Sequence, residues 1–336
     1  MSIRFDLKVL GMRDDKAFVL NKYLSDLFGE FLRDDSINEI EFNGDENVVF
    51  VEDAFGQKHK HIKKGVDFDR MLTFANACAQ FNENHIDRND PILSCLLPGG
   101  ERAQIIIPPA TDKGLISVTI RKPSKVRYSM QDYIGAGALD ENFAKLLQDA
   151  VQSGKNIVIC GETGSGKTTF MKTLIDFIPL SERIITIEDV SEITFYKHEN
   201  RVKLYYPSEA KPGDSVTSAV LLKSTLRMKP DRILLAEVRG GETYDFLNVV
   251  SSGHDGSMTS CHAGSIIGCY NRLVMMAMQN VEARTLGKDM ILDVVKSVVD
   301  VIVVFKRRGG KRQVIEYLYD GKVYAKNEKG EFECRS

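Results

Sequence analysis

No stretch of this chain is apolar for long enough to cross a bilayer. The densest apolar run, Val298 to Phe305, covers eight residues and contains Asp300, against the ~20 residues of a spanning helix. The N-terminus mixes Arg4, Asp6, Lys8, Arg13, Asp14 and Asp15 with apolar residues and lacks the h-region of a signal peptide. Charge of one sign is also missing: 45 Lys and Arg face 47 Asp and Glu, a formal net charge of −2. That balance excludes a whole-chain basic field for nucleic acid. The six cysteines (Cys78, Cys95, Cys160, Cys261, Cys269, Cys334) are scattered and form no C-x-x-C. They read as reduced packing residues of a cytosolic protein rather than disulfides or zinc ligands. The six histidines have no H-E-x-x-H or paired-ligand spacing, and there is no internal repeat or low-complexity segment.

What is present points elsewhere. A length of 336 residues allows about two domains of ~150 residues, and 43% apolar content is enough to build their cores. Residues 161–168 read Gly-Glu-Thr-Gly-Ser-Gly-Lys-Thr and fit the P-loop pattern without mismatch. The apolar run Ile157-Val158-Ile159 precedes it, and residues 169–178 follow with apolar residues at helical spacing. Strand, glycine-rich turn and helix are the context the motif needs, which outweighs the alternative of a chance glycine-rich turn. Gly161, Gly164 and Gly166 leave room for backbone N–H groups to point inward at phosphate oxygens, and the following helix adds the positive end of its dipole. Glu162, Thr163, Ser165 and Thr169 complete the expected nucleotide-binding segment. Lys167 is expected to reach the β- and γ-phosphates of ATP, and the Thr168 hydroxyl to ligate Mg²⁺.

Before the P-loop the pattern is α+β. Helical spacing over 16–32 leads to strands at 37–42 and 48–51 joined by Asn43-Gly44, with Asp53–Gly56 as further turn residues. A helix over 68–81 and strands at 102–107 and 115–120 follow. These elements define an N-terminal α+β domain, residues 1–122. Residues 123–139, preceded by Arg121 and Lys122 and containing Pro123, Lys125, Arg127, Gly135 and Gly137, read as a basic linker. From 140 to 336 the texture is α/β. A helix carrying Phe143, Leu146, Leu147 and Ala150 leads to the P-loop strand. Strands at 183–187, 233–236 and 257–261 alternate with helices at 219–228, 243–252 and 266–279. Short apolar strands of this kind imply a mostly parallel, two-sided sheet. The tail reads as a hairpin, 301–305 with 313–319, turning at Gly309-Gly310. Its loop carries Lys306, Arg307, Arg308, Lys311 and Arg312. Such a cluster reads as a solvated turn, the alternative being contact with anionic lipid or nucleic acid.

A P-loop alone binds; hydrolysis also needs an acid to prepare water and cations for the developing charge. Ile233-Leu234-Leu235-Ala236-Glu237 is an apolar strand ending in a carboxylate, 70 residues after Lys167. Ala236 fills the usual aspartate position, and Glu237 is the candidate catalytic acid, followed by Arg239. Ile184 to Asp189 has the same form. Acids at the carboxyl ends of parallel strands face the crevice where ligands bind. Glu188 is the first candidate to hold Mg²⁺ through water, with Asp189 and Glu192 behind it. His262 ends a further strand and is the candidate reporter of the γ-phosphate; His254, beside a turn, reads as structural.

The P-loop, the acidic box at 184–192, Glu-x-Arg at 237–239 and the histidine box at 253–263, in that order, resemble the secretion ATPases of type II and type IV machines. The chain looks most like the traffic ATPase of type IV secretion systems. Leu226 to Arg232, Gly100-Glu101-Arg102 and Ser117 to Pro123 resemble further motifs of that family, so the likeness covers nearly the whole chain. Ala236 departs from the family's glycine. The absence of a tetracysteine insert favours the type IV branch, and Ala263-Gly264 differs from the Thr-Asn of pilus-retraction motors. The resemblance implies a RecA-like C-terminal ATPase domain, a smaller N-terminal domain, and a hexameric ring. It also implies a cytoplasmic position at the inner membrane, peripheral to it, among inner-membrane components of the secretion machine. By the same resemblance Arg102 and Arg121 touch nucleotide phosphates, and Arg227, Arg232 or Arg239 acts at or near a subunit boundary. Nucleic acid is not expected as a direct ligand. The alternatives are a RecA-like nucleic-acid translocase, a DNA-uptake or pilus motor, and a nucleotide-dependent regulator that barely hydrolyses, for which Ala236 is the only hint.

Overall fold

Leu20, Leu24, Leu27, Phe28 and Phe31 recur at helical spacing on α1 (Asp14–Arg33) and are all buried. The same spacing buries Met71, Phe74, Ala75 and Cys78 of α2 (Phe68–Phe81), whose first turn is capped by Asp67. Phe28 and Phe74 meet edge to face, ring centres 5.6 Å apart. The two helices share a core with a six-stranded antiparallel sheet. Its strands are β1 (Ile37–Phe42), β2 (Val48–Asp53), β3 (Lys58–Ile62), β4 (Ile92–Leu96), β5 (Arg102–Ile106) and β6 (Ser117–Arg121), in the order β3-β2-β1-β6-β5-β4. Ile40, Val118 and Ile105 alternate inward with polar residues outward, as a sheet covered on one face requires.

These elements form the first of two units, Met1–Lys125 and Val126–Ser336, into which the computed structural model divides. The structure describes residues 14–53, 57–123, 127–207, 210, 213–308, 311–327 and 330–335. The N-terminal residues Arg4 to Arg13, the turn residues 54–56, Lys125 and the Gly309-Gly310 turn lie outside the described residues.

The second unit begins with α3 (Met130–Gly135), α4 (Glu141–Gln152), β7 (Ile157–Gly161), α5 (Lys167–Ile175), β8 (Ile184–Glu188), β9 (Arg201–Tyr205) and α6 (Ser218–Thr225). It continues through β10 (Arg232–Leu235), α7 (Glu242–Ser251), β11 (Met258–Cys261), α8 (Ile266–Ala277), α9 (Val281–Leu286) and α10 (Lys288–Val298). It ends with β12 (Val301–Arg308), β13 (Lys311–Tyr319), β14 (Lys322–Lys326) and β15 (Phe332–Arg335). The sheet order is β15-β14-β13-β12-β7-β11-β10-β8-β9. From β12 to β9 every pair is parallel, and the β12–β15 meander adds antiparallel strands at one side.

Successive residues of the central strands enter opposite cores. Val158, Ile233 and Val304 pack on the side of α7, α8 and α10; Ile159, Leu234 and Val303 pack on the side of α4 and α5. Burial on both faces explains the unbroken apolar runs in the sequence. Phe170 of α5 lies 4.6 Å from the Phe305 ring of β12 and 5.0 Å from Tyr133 of α3. Truncating so large a core ring costs ~3–5 kcal/mol.

The sequence reading of 123–139 as a linker needs correction. Ser129 and Asp132 form a capping box for α3, and Met130 and Tyr133 are buried in the second unit's core. Glycines at 135 and 137 end this helix rather than loosen the segment. Arg127 pairs with Asp176 at 2.7 Å and lies 4.1 Å over the Tyr196 ring, so this basic residue is anchored within the second unit.

Candidate active site

Parallel strands deliver their following loops to one edge of the sheet. Cys160 of β7 pairs in register with Cys261 of β11, which sets Gly161 and His262 side by side as the strands end. Leu235 of β10 pairs with Ile187 of β8 and Thr259 of β11. The chain beyond β10 stays bonded to both neighbours, Ala236 N donating to Ile187 O and Val238 N to Ser260 O. Glu237 is thereby carried to the same edge as the P-loop.

The P-loop turn is built on glycine where side chains are forbidden. Gly164 and Gly166 take φ of 72° and 96°. A Cβ on Gly161 would collide with Ser165 Oγ and stand 2.7 Å from the Phe305 carbonyl. Ser165 N donates to Glu162 O, and α5 begins at Lys167. Lys167 Nζ donates to the carbonyls of Gly161 at 3.0 Å and Glu162 at 3.1 Å, and approaches His262 Nδ1 at 3.3 Å. Glu162 and Thr163 are exposed on the loop; Thr168 and Thr169 are half-buried in the first turn of α5. Ser165 Oγ is buried without a hydrogen-bond partner in the structure. An open turn, an orphaned hydroxyl, a helix N-terminus and an ammonium group fit a polyphosphate.

A continuous polar chain runs from Lys167 across the strand ends. His262 Nε2 stands 2.7 Å from Glu237 Oε1, within ion-pair distance but without hydrogen-bond alignment. Since the ammonium can only donate to Nδ1, the imidazole proton sits on Nε2, toward Glu237. Glu237 Oε2 accepts from Arg239 Nε at 2.8 Å, with a second guanidinium nitrogen 2.7 Å away. The Arg239 NH1 group reaches Asp189 Oδ2 at 2.8 Å. Burial works against the Arg239 cation, but Asp189 and Glu237 hold it firmly charged, well above its ordinary range. Glu242 Oε1 accepts from the backbone N–H of Arg239 and Gly240 and fixes this turn.

Glu188 does not occupy the position expected of a metal-side acid. Its side chain is fully buried: Oε1 accepts from Thr186 at 2.9 Å, and Oε2 accepts from the backbone N–H of Glu192 and Ile193 at 2.8 and 2.7 Å. Lys203 stands 3.6 Å away. Burial pushes its carboxyl above the usual range, against Lys203 and these hydrogen bonds. Glu188 therefore ties down the loop after β8, and its neighbour Asp189 is the acid that joins the site. The backbone alternation that turns 188 inward turns 189 outward.

Arg232 lies away from the P-loop of its own chain. It opens β10, at the strand end opposite Glu237; its side chain is 4% exposed and forms a forked pair with Glu182. At ~3.3 Å per residue, some 16 Å of strand separates it from Glu237, so it takes no part in the P-loop site of its own chain. Arg227 is exposed in the turn leading into that same end of β10. In the first unit, Arg102 of β5 and Arg121 of β6 are direct cross-strand partners, with Glu39 of β1 opposite Arg121 on its other side. His254 is structural, its Nδ1 3.1 Å from the Val249 carbonyl.

One cluster escaped sequence reasoning. Cys160, Cys261 and Cys269 meet beneath the P-loop, with sulfur separations of 3.4 and 3.8 Å. All three are buried in the apolar core, where burial drives the Cys160 thiol up.

Fold and site together define a P-loop nucleotide hydrolase of the RecA-like class. The chain belongs to the type II/IV secretion system protein family, whose model matches residues 38–310. It is 44% identical over 317 residues to the type IV secretion system protein VirB11 of Brucella abortus, covering 86% of this chain and 87% of that one. It is 40% identical over 280 residues to PtlH of Bordetella pertussis, covering 75% and 81%. Among solved structures, the VirB11 ATPase of Brucella suis in complex with sulphate superposes with a TM-score of 0.51 at 41% identity, over 91% of this chain and 96% of that one. The ATPase DotB of Legionella pneumophila, at 18% identity and a TM-score of 0.58 over 94% and 82%, shares the fold.

Proposed function

We propose that this chain is the ATP-hydrolysing motor of a type IV secretion machine. The observation that carries this reading is the polar chain Lys167–His262–Glu237–Arg239–Asp189, which joins the P-loop lysine to a carboxylate held beside a guanidinium. The P-loop N–H groups and Lys167 bind the triphosphate. Glu237, pinned on one oxygen by Arg239 and faced on the other by His262, takes the proton from the attacking water. Arg239 and Lys167 stabilise charge spreading over the transferred phosphoryl oxygens. Mg²⁺ bound with the nucleotide would supply neutralisation of phosphate charge; the Thr168 hydroxyl in the first turn of α5 would hold it.

The surrounding machine is part of the same proposal. A homo-hexameric ring peripheral to the inner membrane would place Arg227 at a neighbouring subunit. No helix among the described residues is long and apolar enough to cross a membrane.

Phosphate release by the wild-type chain with ATP, measured beside Lys167→Ala and together with particle mass with and without nucleotide, tests the reading. Turnover lost in the variant and a mass near six chains support it; a monomer that releases no phosphate overturns it.

A further inference from the structure

The basic tip of the β12–β13 hairpin is set directly beside the P-loop. Phe305 of β12 pairs in register with Gly161, the last residue of β7, so Lys306 and Arg307 continue past the strand edge where the P-loop begins. The hairpin returns with Arg312 as the direct partner of Arg307. Like charges set opposite each other on neighbouring strands are destabilising. Two residues on, Val314 is buried in the core that also holds Phe170 of α5. Residues two apart on a strand share a face, so Arg312 lies on the α5 side of the sheet. Its side chain passes over Gly166: a Cβ there would be 3.1 Å from Arg312 Cδ, 3.6 Å from Nε and 3.9 Å from the guanidinium carbon. The Arg312 guanidinium makes no hydrogen bond or ion pair among the described residues, and its charge acts on Tyr133 of α3.

We propose that Arg312 is a nucleotide-binding residue, its guanidinium contacting the α- and β-phosphates of the nucleotide held by the P-loop of the same chain. The position decides which phosphates. The backbone N–H groups of the glycine-rich turn cradle the α- and β-phosphates, while the P-loop lysine reaches toward β and γ. Arg312 lies over Gly166 of the turn. The γ-phosphate side is occupied by the Lys167–His262–Glu237 group on the side of β11 and β10. A planar guanidinium with several donors suits two adjacent phosphate groups. The bound diphosphate would also neutralise the repulsion between Arg307 and Arg312, which gives this costly pair a reason to stand at the hairpin tip. The anion this basic loop serves is then nucleotide, and not a solvated turn, lipid or nucleic acid.

This inference rests on the proposed nucleotide site, and the test separates the two. Equilibrium binding of ADP and of a non-hydrolysable ATP analogue is measured on the full chain for wild type, Lys167→Ala, Arg312→Ala, Arg312→Lys and Lys322→Ala, an exposed lysine on β14. Arg312→Ala is expected to weaken both nucleotides by the same factor, about 10-fold or more, at a melting temperature no lower than that of wild type, since the repulsion with Arg307 is relieved. Arg312→Lys recovers part of the loss, and Lys322→Ala binds like wild type. ADP affinity in Arg312→Ala equal to wild type, a loss confined to the triphosphate, or an equal loss in Lys322→Ala overturns the assignment. A wild-type chain that binds neither nucleotide overturns the nucleotide site itself.

Discussion

Lys167 and His262 are in contact across two parallel strands, Nζ 3.3 Å from Nδ1, although 95 residues separate them in the chain. The contact follows from the Cys160–Cys261 register, which leaves no other place for the residue after β11. His262 thus links the phosphate-binding lysine to Glu237. Replacing it by alanine removes the link and leaves the P-loop whole. ATP affinity should change by no more than about threefold, while turnover falls by roughly 10- to 100-fold, short of the ~10²–10⁴ of a direct proton acceptor. Steady-state phosphate release and equilibrium nucleotide binding on one preparation check both numbers.

Arg239 bridges Asp189 and Glu237. Arg239→Gln leaves two carboxylates facing one another and withdraws charge from the transferred phosphoryl group. Turnover should drop by about 10³-fold, the lower end for an arginine acting on this chemistry. Arg239→Lys should restore little, since one ammonium cannot fork between two acids. An unchanged rate beside a lowered melting temperature would make Arg239 a structural clamp instead.

Glu188 gives a pH signature. Its folded carboxyl lies above the ordinary value of 4.5 because it is buried. A group raised in the folded state contributes its full stability below the unfolded pKa and loses it as pH rises through the folded pKa. The stability of wild type relative to Glu188→Gln is therefore greatest in acid and declines as pH increases from 4.5. Denaturant midpoints of both proteins along a pH series measure this; a difference that grows with pH would contradict the assignment.

Arg232 and Glu182 form a pair whose loss is a matter of stability. With the Arg232 side chain 4% and the Glu182 side chain 25% exposed, Arg232→Ala removes a charge-assisted forked pair while Glu182 keeps access to water, and should cost roughly 1.5–3 kcal/mol. Nucleotide affinity of the folded fraction should stay at the wild-type value. A weaker affinity with unchanged stability would return Arg232 to the nucleotide.

Much of this could be read from the chain, and the failures share a cause. The placement of the P-loop, Glu237 and His262 at one sheet edge was legible because each follows a short apolar strand, a signal contained within a few positions. Strands β7, β8, β10 and β11 were visible for the same reason. The β3 segment, Lys58–Ile62, was missed because it is exposed throughout and carries no alternation. The edge strands β9 and β15, and β14 beside β15, are little better marked. The helix α10 did carry a signal, Ile291, Val295 and Val298 at helical spacing. Arg232 could have been assigned too: a strand whose far end holds Glu237 must hold Arg232 at its near end. Glu188 and Asp189 differ only in which way the chain turns after β8, and the backbone donors at Glu192 and Ile193 decide that. The Arg312–Gly166 approach depends on β12 pairing with β7, a contact between residues far apart in sequence.

The central claim is that Glu237 prepares the water for a phosphoryl group held by the P-loop. Phosphate release and ATP affinity measured together on Glu237→Gln test it most directly. The account predicts that release falls by about 10²–10⁴-fold while ATP still binds at the wild-type affinity. Release at the wild-type rate from a protein that binds ATP normally would contradict it.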